Sequence, residues 1–479
     1  MINIGTFVLL LMMIYILFSS KTIKKIYSNF IILTVVVELM IERGYFIQIG
    51  NQQIAYRTVC ELVLAVVSLI IIICNKGIVS KKSFSLYVSL LVCLLLGWFL
   101  LLIFPTNARG GNLDVSWDFI LTGKADLQRI VFTNSMIMEM VQILIYIICG
   151  ITMYSFIGKN DWFYICCKIV YFLRAILYFN TIEILTKYFI KSNIYSFIVD
   201  FILGKSIATD DVLGMRGKGF VLCGLTKEAS HYSFVLSVIL IINFICYYMN
   251  KQKENKKKIN KDIVAIIITI LTMILSMSFS SIYYLGCIVL FDVCLVSEKK
   301  GNSLVKMWVI IAISIIILYV SLKLLPTIAA KMSIVSFWGR RIASLSEEFT
   351  NVINGNWLTQ STALEWSNRV RIGSTYETFR LVKYRPLFGL GLAATSAHSS
   401  LAMLVSGCGI IGTICYIKAM FGVNKVNKNN GLYYSFIIVF LALTLFSSVS
   451  LRPFYEIWSI VLVNYLWLFI DGRKEISCN

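Results

Sequence analysis

Long apolar stretches, broken at short intervals by clusters of lysine, arginine and turn residues, run the length of the chain. They lie near 2–20, 28–41, 55–74, 84–104, 129–157, 162–190, 231–249, 262–281, 282–296, 305–325, 397–421, 432–450 and 455–470. Most reach the roughly 20 residues that a helix needs to cross the hydrocarbon core, and the pattern predicts an all-α polytopic membrane protein with about 13 transmembrane helices (about 12–14). The 28–41 run is short and carries Glu38, and the runs flanking Ser280-Ser281 are almost contiguous. The first run lacks a small-residue cleavage site and leads straight into the next, so it reads as a retained span.

Composition agrees. Of 479 residues, 58% are hydrophobic and only 14% charged, and the mean hydropathy is +0.82. Soluble globular, disordered and fibrous classes are excluded, and residues 1–479 read as a single integral membrane domain. The 13 cysteines fall mostly inside apolar runs with no CxxC pair, which is neither a disulfide framework nor a zinc site. The two histidines, His231 and His398, lie far apart, which argues against a His-ligated metal.

A net charge of +20 would suggest nucleic acid in a soluble protein, but here it sorts by side. Alternate connections carry Lys21, Lys24 and Lys25; Lys76, Lys81 and Lys82; Lys159; the block 251–261; Lys299 and Lys300; Lys425 and Lys428; and Arg473 with Lys474. The positive-inside rule assigns these to the cytoplasm, with the N-terminus outside and the C-terminus inside. The other set holds the long connections 105–128, 191–230 and 326–396 and all four prolines. It also holds Arg109, Arg216, Arg340, Arg341, Arg369, Arg371, Arg380, Arg385 and Arg452. Guanidinium forms geometrically fixed pairs with phosphate, so an Arg-rich outer face suits a phosphate-bearing ligand. Interfacial snorkelling and local salt bridges account for the same arginines without a ligand.

Within 326–396, Ser374-Thr-Tyr-Glu377 matches a capping box, predicting a surface helix near 374–385 with Tyr376, Phe379 and Val382 on its apolar face. Pro386 ends it, and Pro386-Leu-Phe-Gly-Leu-Gly391 reads as a flexible turn that lets backbone approach a ligand, just before His398. In the 191–230 loop, Gly217 and Gly219 around Arg216 and Lys218 would form a basic backbone cradle for phosphate. Glu228 and His231 follow at a span mouth, where an acid also simply complements a helix dipole. Asp210-Asp211 is a weak cation signal. Among the charges inside spans, Arg57 and Glu61 are one helical turn apart and are expected to pair.

Taken together, Arg371…Pro386-Leu-Phe-Gly-Leu-Gly391…His398-Ser-Ser-Leu401…Gly409-Ile-Ile-Gly412 resembles the signature of the O-antigen polymerase (Wzy) and O-antigen ligase (WaaL) superfamily. Arg216-Gly-Lys-Gly-Phe220…Glu228-Ala-Ser230 is similar to a second stretch of that family, and Ser276-Met-Ser-Phe-Ser-Ser281 to its Ser-rich turn. Three positions depart from the pattern: Ser399 stands for Asn, Ala229 for Pro and Ser281 for an Arg, and the last removes an expected phosphate contact.

The resemblance implies a bacterial plasma-membrane glycosyltransferase, inverting and metal-independent, that needs no cofactor and faces the periplasm or cell exterior. Its partners would be lipid-linked oligosaccharide on undecaprenyl pyrophosphate, membrane lipids and a chain-length regulator protein, with no nucleic acid. Arg371, Arg216, Lys218 and Arg369 are the expected pyrophosphate-binding residues, with Arg371 favoured over Arg369 by its spacing to Pro386. His398 and Glu228 are the expected catalytic ones. A polymerase of lipopolysaccharide or capsule type is preferred. An O-antigen ligase, or a flippase of lipid-linked oligosaccharide, stays open as the alternative.

Overall fold

The computed structural model describes the chain except for residues 1–2, 51, 76–78, 111–127, 205–214, 217–218, 221, 277, 298–362, 393, 395–396, 424–430, 446–455 and 478–479. The described helices are α1 (Ile4–Ser19), α2 (Ile23–Met40), α3 (Tyr56–Cys74), α4 (Lys81–Ile103), α5 (Asn134–Phe156), α6 (Lys159–Ile184) and α7 (Ile194–Leu203). They continue with α8 (Ala229–Gln252), α9 (Lys256–Leu275), α10 (Phe279–Ser297), α11 (Ala363–Arg380), α12 (Ser400–Phe421), α13 (Gly431–Leu445) and α14 (Ile457–Ser477). Helices therefore occupy the predicted apolar runs apart from 305–325, which lies outside the described residues. Six of these segments are long and apolar enough to cross a membrane: α3, α4, Met136–Phe156 of α5, α6 with its π-helical extension to Phe189, α8 and α12. The chain is an all-α membrane protein.

Local chemistry sets many helix starts. The side chains of Asn3, Thr22, Ser80, Asn255 and Ser399 each accept a hydrogen bond from a first-turn N–H. Among the described residues, strands are confined to the hairpin β1 (Ile47–Ile49) with β2 (Gln52–Ile54) and to paired two-residue fragments.

Helix α8 is the axis of the bundle. From Ala229 through Tyr248 nearly every side chain is buried, as expected for a helix that is apolar all round. It packs against α9, α10, α14 and α6, while α2 packs against α3, α6 and α14, and α4 against α12. Outward-facing side chains such as Phe7, Tyr15 and Phe18 of α1 and Leu102 of α4 stay exposed, as on a lipid-facing surface.

The alternate connections gather at two opposite ends. Lys24 pairs with Asp161, Lys159 with Asp471, Lys82 reaches the Val423 carbonyl, and Lys253 lies over the Phe163 ring. At the other end Asn3 donates to the carbonyls of Tyr45 and Leu203, and Arg43 forks onto Asp200 at 2.6 and 2.9 Å. There too the Ile457 N–H donates to Glu38. Among the described residues, the lysine-rich connections thus share one end, as the alternation requires.

Three local expectations are corrected or extended. Helix α11 begins at Ala363, so Ser374 is interior and caps nothing. Its hydroxyl turns back onto the Arg371 carbonyl, as Ser does inside helices. The buried face of α11 is Ile372, Ser374, Thr375 and Thr378, while Tyr376 is exposed, so the predicted apolar face is not the one that packs. The Arg57 and Glu61 charges do attract each other, and the fold adds a second carboxylate: Arg57 bonds Glu456 at 3.2 Å, where the start of α14 lies against α3.

The third concerns the Gly-rich turn. It is built into α12, which breaks at Gly409 (φ +66°). The 386–391 segment fills the break: Ile410 and Ile411 donate to the Pro386 and Leu387 carbonyls at 2.8 and 3.1 Å. In return Leu390 and Gly391 donate to Ser406 and Gly407 at 2.9 and 2.8 Å. Backbone freed by a broken helix must find partners away from water, and this turn supplies them. The turn is therefore not flexible: its backbone is bonded within the chain.

Candidate functional site

Four segments converge at the end opposite the lysine-rich connections. The first is the loop after α2. Arg43 N donates to the Leu225 carbonyl at 2.8 Å, and Tyr45 N to Leu203. Gly44 (φ +89°) passes so close to the Leu203 backbone that a Cβ would collide with it. This pinned loop buries Glu42.

The second is the start of α8. Glu228 is the N-cap residue in extended conformation, and its carboxylate does not cap the helix; it accepts the Ser230 hydroxyl at 2.9 Å. One turn on, His231 places Nδ1 2.8 and 2.7 Å from the two oxygens of Glu42 and Nε2 3.9 Å from Glu228 Oε2. The preceding loop is held by Glu183, which accepts from Cys223 N, Gly224 N and Lys187 Nζ.

The third is the Ser-rich turn between α9 and α10. Ser233, Ser276 and Ser281 form a buried hydroxyl knot, with Ser281 2.6 Å from Ser233 and 2.8 Å from Ser276. Ser280 faces the fourth segment and accepts Arg371 Nη1 at 2.8 Å. On α11, Ser374 accepts the backbone N–H of His398 at 3.3 Å, which ties His398 one turn beyond Arg371.

Electrostatics couple these groups. Burial pushes the Glu228 carboxyl up, but the opposing pull of His231, Arg371, the Ser230 hydroxyl and His398 prevails, and its pKa lies below the ordinary carboxylate value. Burial, and then the Arg371 guanidinium, bring the His398 imidazole down to about 3 against the upward pull of Glu228. At neutral pH the mouth therefore presents an ionised carboxylate, a guanidinium and an uncharged imidazole. The Glu228 side chain, 43% exposed, is its open edge.

Of the residues singled out in the sequence, Glu228, Arg371 and His398 are brought together. Arg369 lies on α11 and Arg216 in the fragment Met215–Arg216, which pairs with Gly219–Phe220; only their backbones are described. Lys218, Asp210 and Asp211 lie outside the described residues. Sequence reasoning missed Glu42, an acid just beyond a span end whose partner is 189 residues away. It also missed Ser280 as the hydroxyl on Arg371. Among the described residues no three His, Cys, Asp or Glu side chains close around a point that a metal would occupy; Glu42 and Glu228 instead flank the His231 ring.

A second polar group lies at the same end: Glu456 takes Arg57 and, at 2.6 Å, the Trp458 indole N–H, while Glu38 accepts the N–H groups of Ile457 and Trp458. These carboxylates secure the N-terminus of α14.

No family model, curated protein or solved structure matches the chain.

Proposed function

We propose that this chain is a membrane polysaccharide polymerase, a glycosyltransferase that moves a growing glycan from undecaprenyl pyrophosphate onto a lipid-linked repeat unit at the outer face of a bacterial plasma membrane. The observation that carries the reading is the convergence of Arg371, His398 and Glu228, from three separate segments, at one mouth of the helix bundle. Arg371 and His398 belong to one stretch that resembles the O-antigen polymerase and ligase superfamily and Glu228 to a second, and the third, the Ser-rich turn, reaches Arg371 through Ser280.

The chemistry needs two things: charge stabilisation at the departing pyrophosphate and activation of an acceptor hydroxyl. Arg371, steadied by Ser280, supplies a donor fork for phosphate oxygens. Glu228, ionised and at the open edge, accepts the proton of the sugar hydroxyl. His398, uncharged beside Arg371, is better suited to hydrogen-bonding the phosphate or the acceptor than to carrying a proton. Arg216, Lys218 and Arg369 are further phosphate ligands in this reading, and a chain-length regulator protein is a further partner.

The test is polymer formation by the purified chain in membranes, supplied with lipid-linked repeat units extracted from cells lacking it. A ladder of increasing glycan length is expected. Transfer only to a different lipid acceptor would make the protein a ligase, and movement of intact lipid-linked units across vesicles without bond formation would make it a flippase.

A further inference from the structure

Within the transfer reading above, on which this inference rests, we propose that Glu42 and His231 form the proton-accepting dyad of the site, with Glu228 handing them the proton of the acceptor hydroxyl.

The geometry carries it. Both Glu42 oxygens lie within 2.8 Å of His231 Nδ1, and a carboxylate only accepts, so Nδ1 bears the hydrogen. Fixing the tautomer in this way makes Nε2 the proton-accepting nitrogen, and Nε2 is the atom that faces Glu228. The two side chains are 8% and 5% exposed, out of reach of bulk solvent, whereas Glu228 lies half open beside Arg371 and His398. A clip joining the α2 loop to α8 would need the Glu42 contact alone. It would not need a second carboxylate on the far side of the ring, at the edge of the mouth.

Glu42 is held for this role from both sides. Lys227 N donates to it at 3.4 Å, and its loop is pinned through Arg43 and Gly44. The charged groups that act on the dyad are Arg57 from α3, Lys227 from the preceding loop and Glu228 from the helix start. Arg371 from α11 acts through Glu228, and His398 acts both through Glu228 and on the His231 ring directly.

The step balances without a co-reactant. The acceptor oxygen bonds the anomeric carbon as the bond from that carbon to the pyrophosphate oxygen breaks, and the bonding pair leaves on the phosphate beside Arg371. The hydroxyl proton passes to Glu228 Oε2 and then to His231 Nε2, across a 3.9 Å gap that a carboxyl rotation closes. The imidazolium formed lies between two carboxylates, and the proton returns to solvent through Glu228.

The experiment compares wild type with Glu42→Gln and His231→Gln in the ladder assay, using extracted lipid-linked repeat units across a range of pH. Wild-type turnover tests the transfer reading; the variants, measured against it, test the dyad. Glu42→Gln keeps a hydrogen-bond acceptor but loses the charge, so kcat is expected to fall about 10²-fold with KM little changed. The acid limb of the rate profile should move to lower pH, since the imidazole loses the anion that favours its protonated form. Unchanged kcat, or a loss with the limb unmoved, would overturn the dyad in favour of a structural clip. A second measurement needs neither substrate nor a variant of the dyad. The chain has 2 histidines, so nitrogen NMR of ¹⁵N-histidine-labelled His398→Gln protein reads His231 alone. Above the acid limb, hydrogen on Nδ1 supports the dyad and hydrogen on Nε2 overturns it.

Discussion

Gly391 donates its backbone N–H to the carbonyl of Gly407 at 2.8 Å, and this bond belongs to a strip in which a loop repairs a broken helix. The same strip fixes where the chain emerges toward His398. Position of the candidate site thus depends on glycines that make no contact of their own with a ligand or proton. Gly389 (φ +71°) and Gly409 (φ +66°) both take left-handed backbone, and a Cβ on either would collide with backbone of the opposing segment.

Gly409→Ala is therefore expected to be strongly destabilising. A left-handed non-glycine residue costs roughly 1–2 kcal/mol, and forced repacking adds about 1–3 kcal/mol. Gly50, with φ +59° and open space around it, isolates the first effect. Thermal unfolding of detergent-solubilised protein should show a much larger drop for Gly409→Ala than for Gly50→Ala. Equal drops would mean that the strip does not hold α12 together.

Arg371→Lys keeps the charge but loses the planar fork that bonds Ser280 and that, under the proposed function, would also meet a phosphate. Loss of a charge-assisted hydrogen bond is worth about 1.5–3 kcal/mol, so polymer formation should fall roughly 10- to 100-fold, and Arg371→Ala should leave single repeat units on the lipid. Ser280→Ala should cost less, since it removes the support and leaves the guanidinium. Full-length ladders from Arg371→Ala at normal protein level would remove this residue from the site.

His398 allows a signed pH prediction. Its folded-state pKa, about 3, lies below the unfolded value of about 6.5. The unfolded chain therefore binds a proton that the native one does not between those limits, and stability falls as pH drops from about 6.5 toward 3, by up to about 1.4 kcal/mol per unit. His398→Gln should flatten that part of the melting-temperature profile. In the ladder assay the same variant should retain more activity than His398→Ala, because Gln preserves hydrogen bonding without a titratable group. Parallel melting profiles for wild type and His398→Gln would show that the ring is not held uncharged.

Reporter fusions at 257 and 355 check sidedness. The lysine block is expected in the cytoplasm and residue 355 outside. Reporters on the same side would overturn the outer-face placement of the mouth.

Helix positions were legible in the sequence because an apolar run of span length satisfies its own backbone wherever it is placed. The caps at Thr22 and Ser399, and the gathering of lysine-rich connections at one end, follow from equally local chemistry. Among the site residues, His398 stood out beside a Gly-rich turn, Glu228 at a span mouth and Arg371 through the resemblance of its stretch, but the use of that turn did not. Its partner, the break in α12, lies some 20 residues on, and only packing brings the two backbones together. Arg57 bonds Glu456 for the same reason: the intrahelical neighbour was visible, while the carboxylate on α14 arrived with the fold.

Glu42 and His231 are the sharpest case. Nothing near either residue points to the other, and the loop after α2 meets the first turn of α8 through pins at Asp200, Leu203 and Leu225. Helices apolar all round, like α8, carry little rotational preference in their own sequence. Local pattern therefore determined that these residues stand at helix ends, and tertiary packing alone decided which faces, and so which side chains, meet.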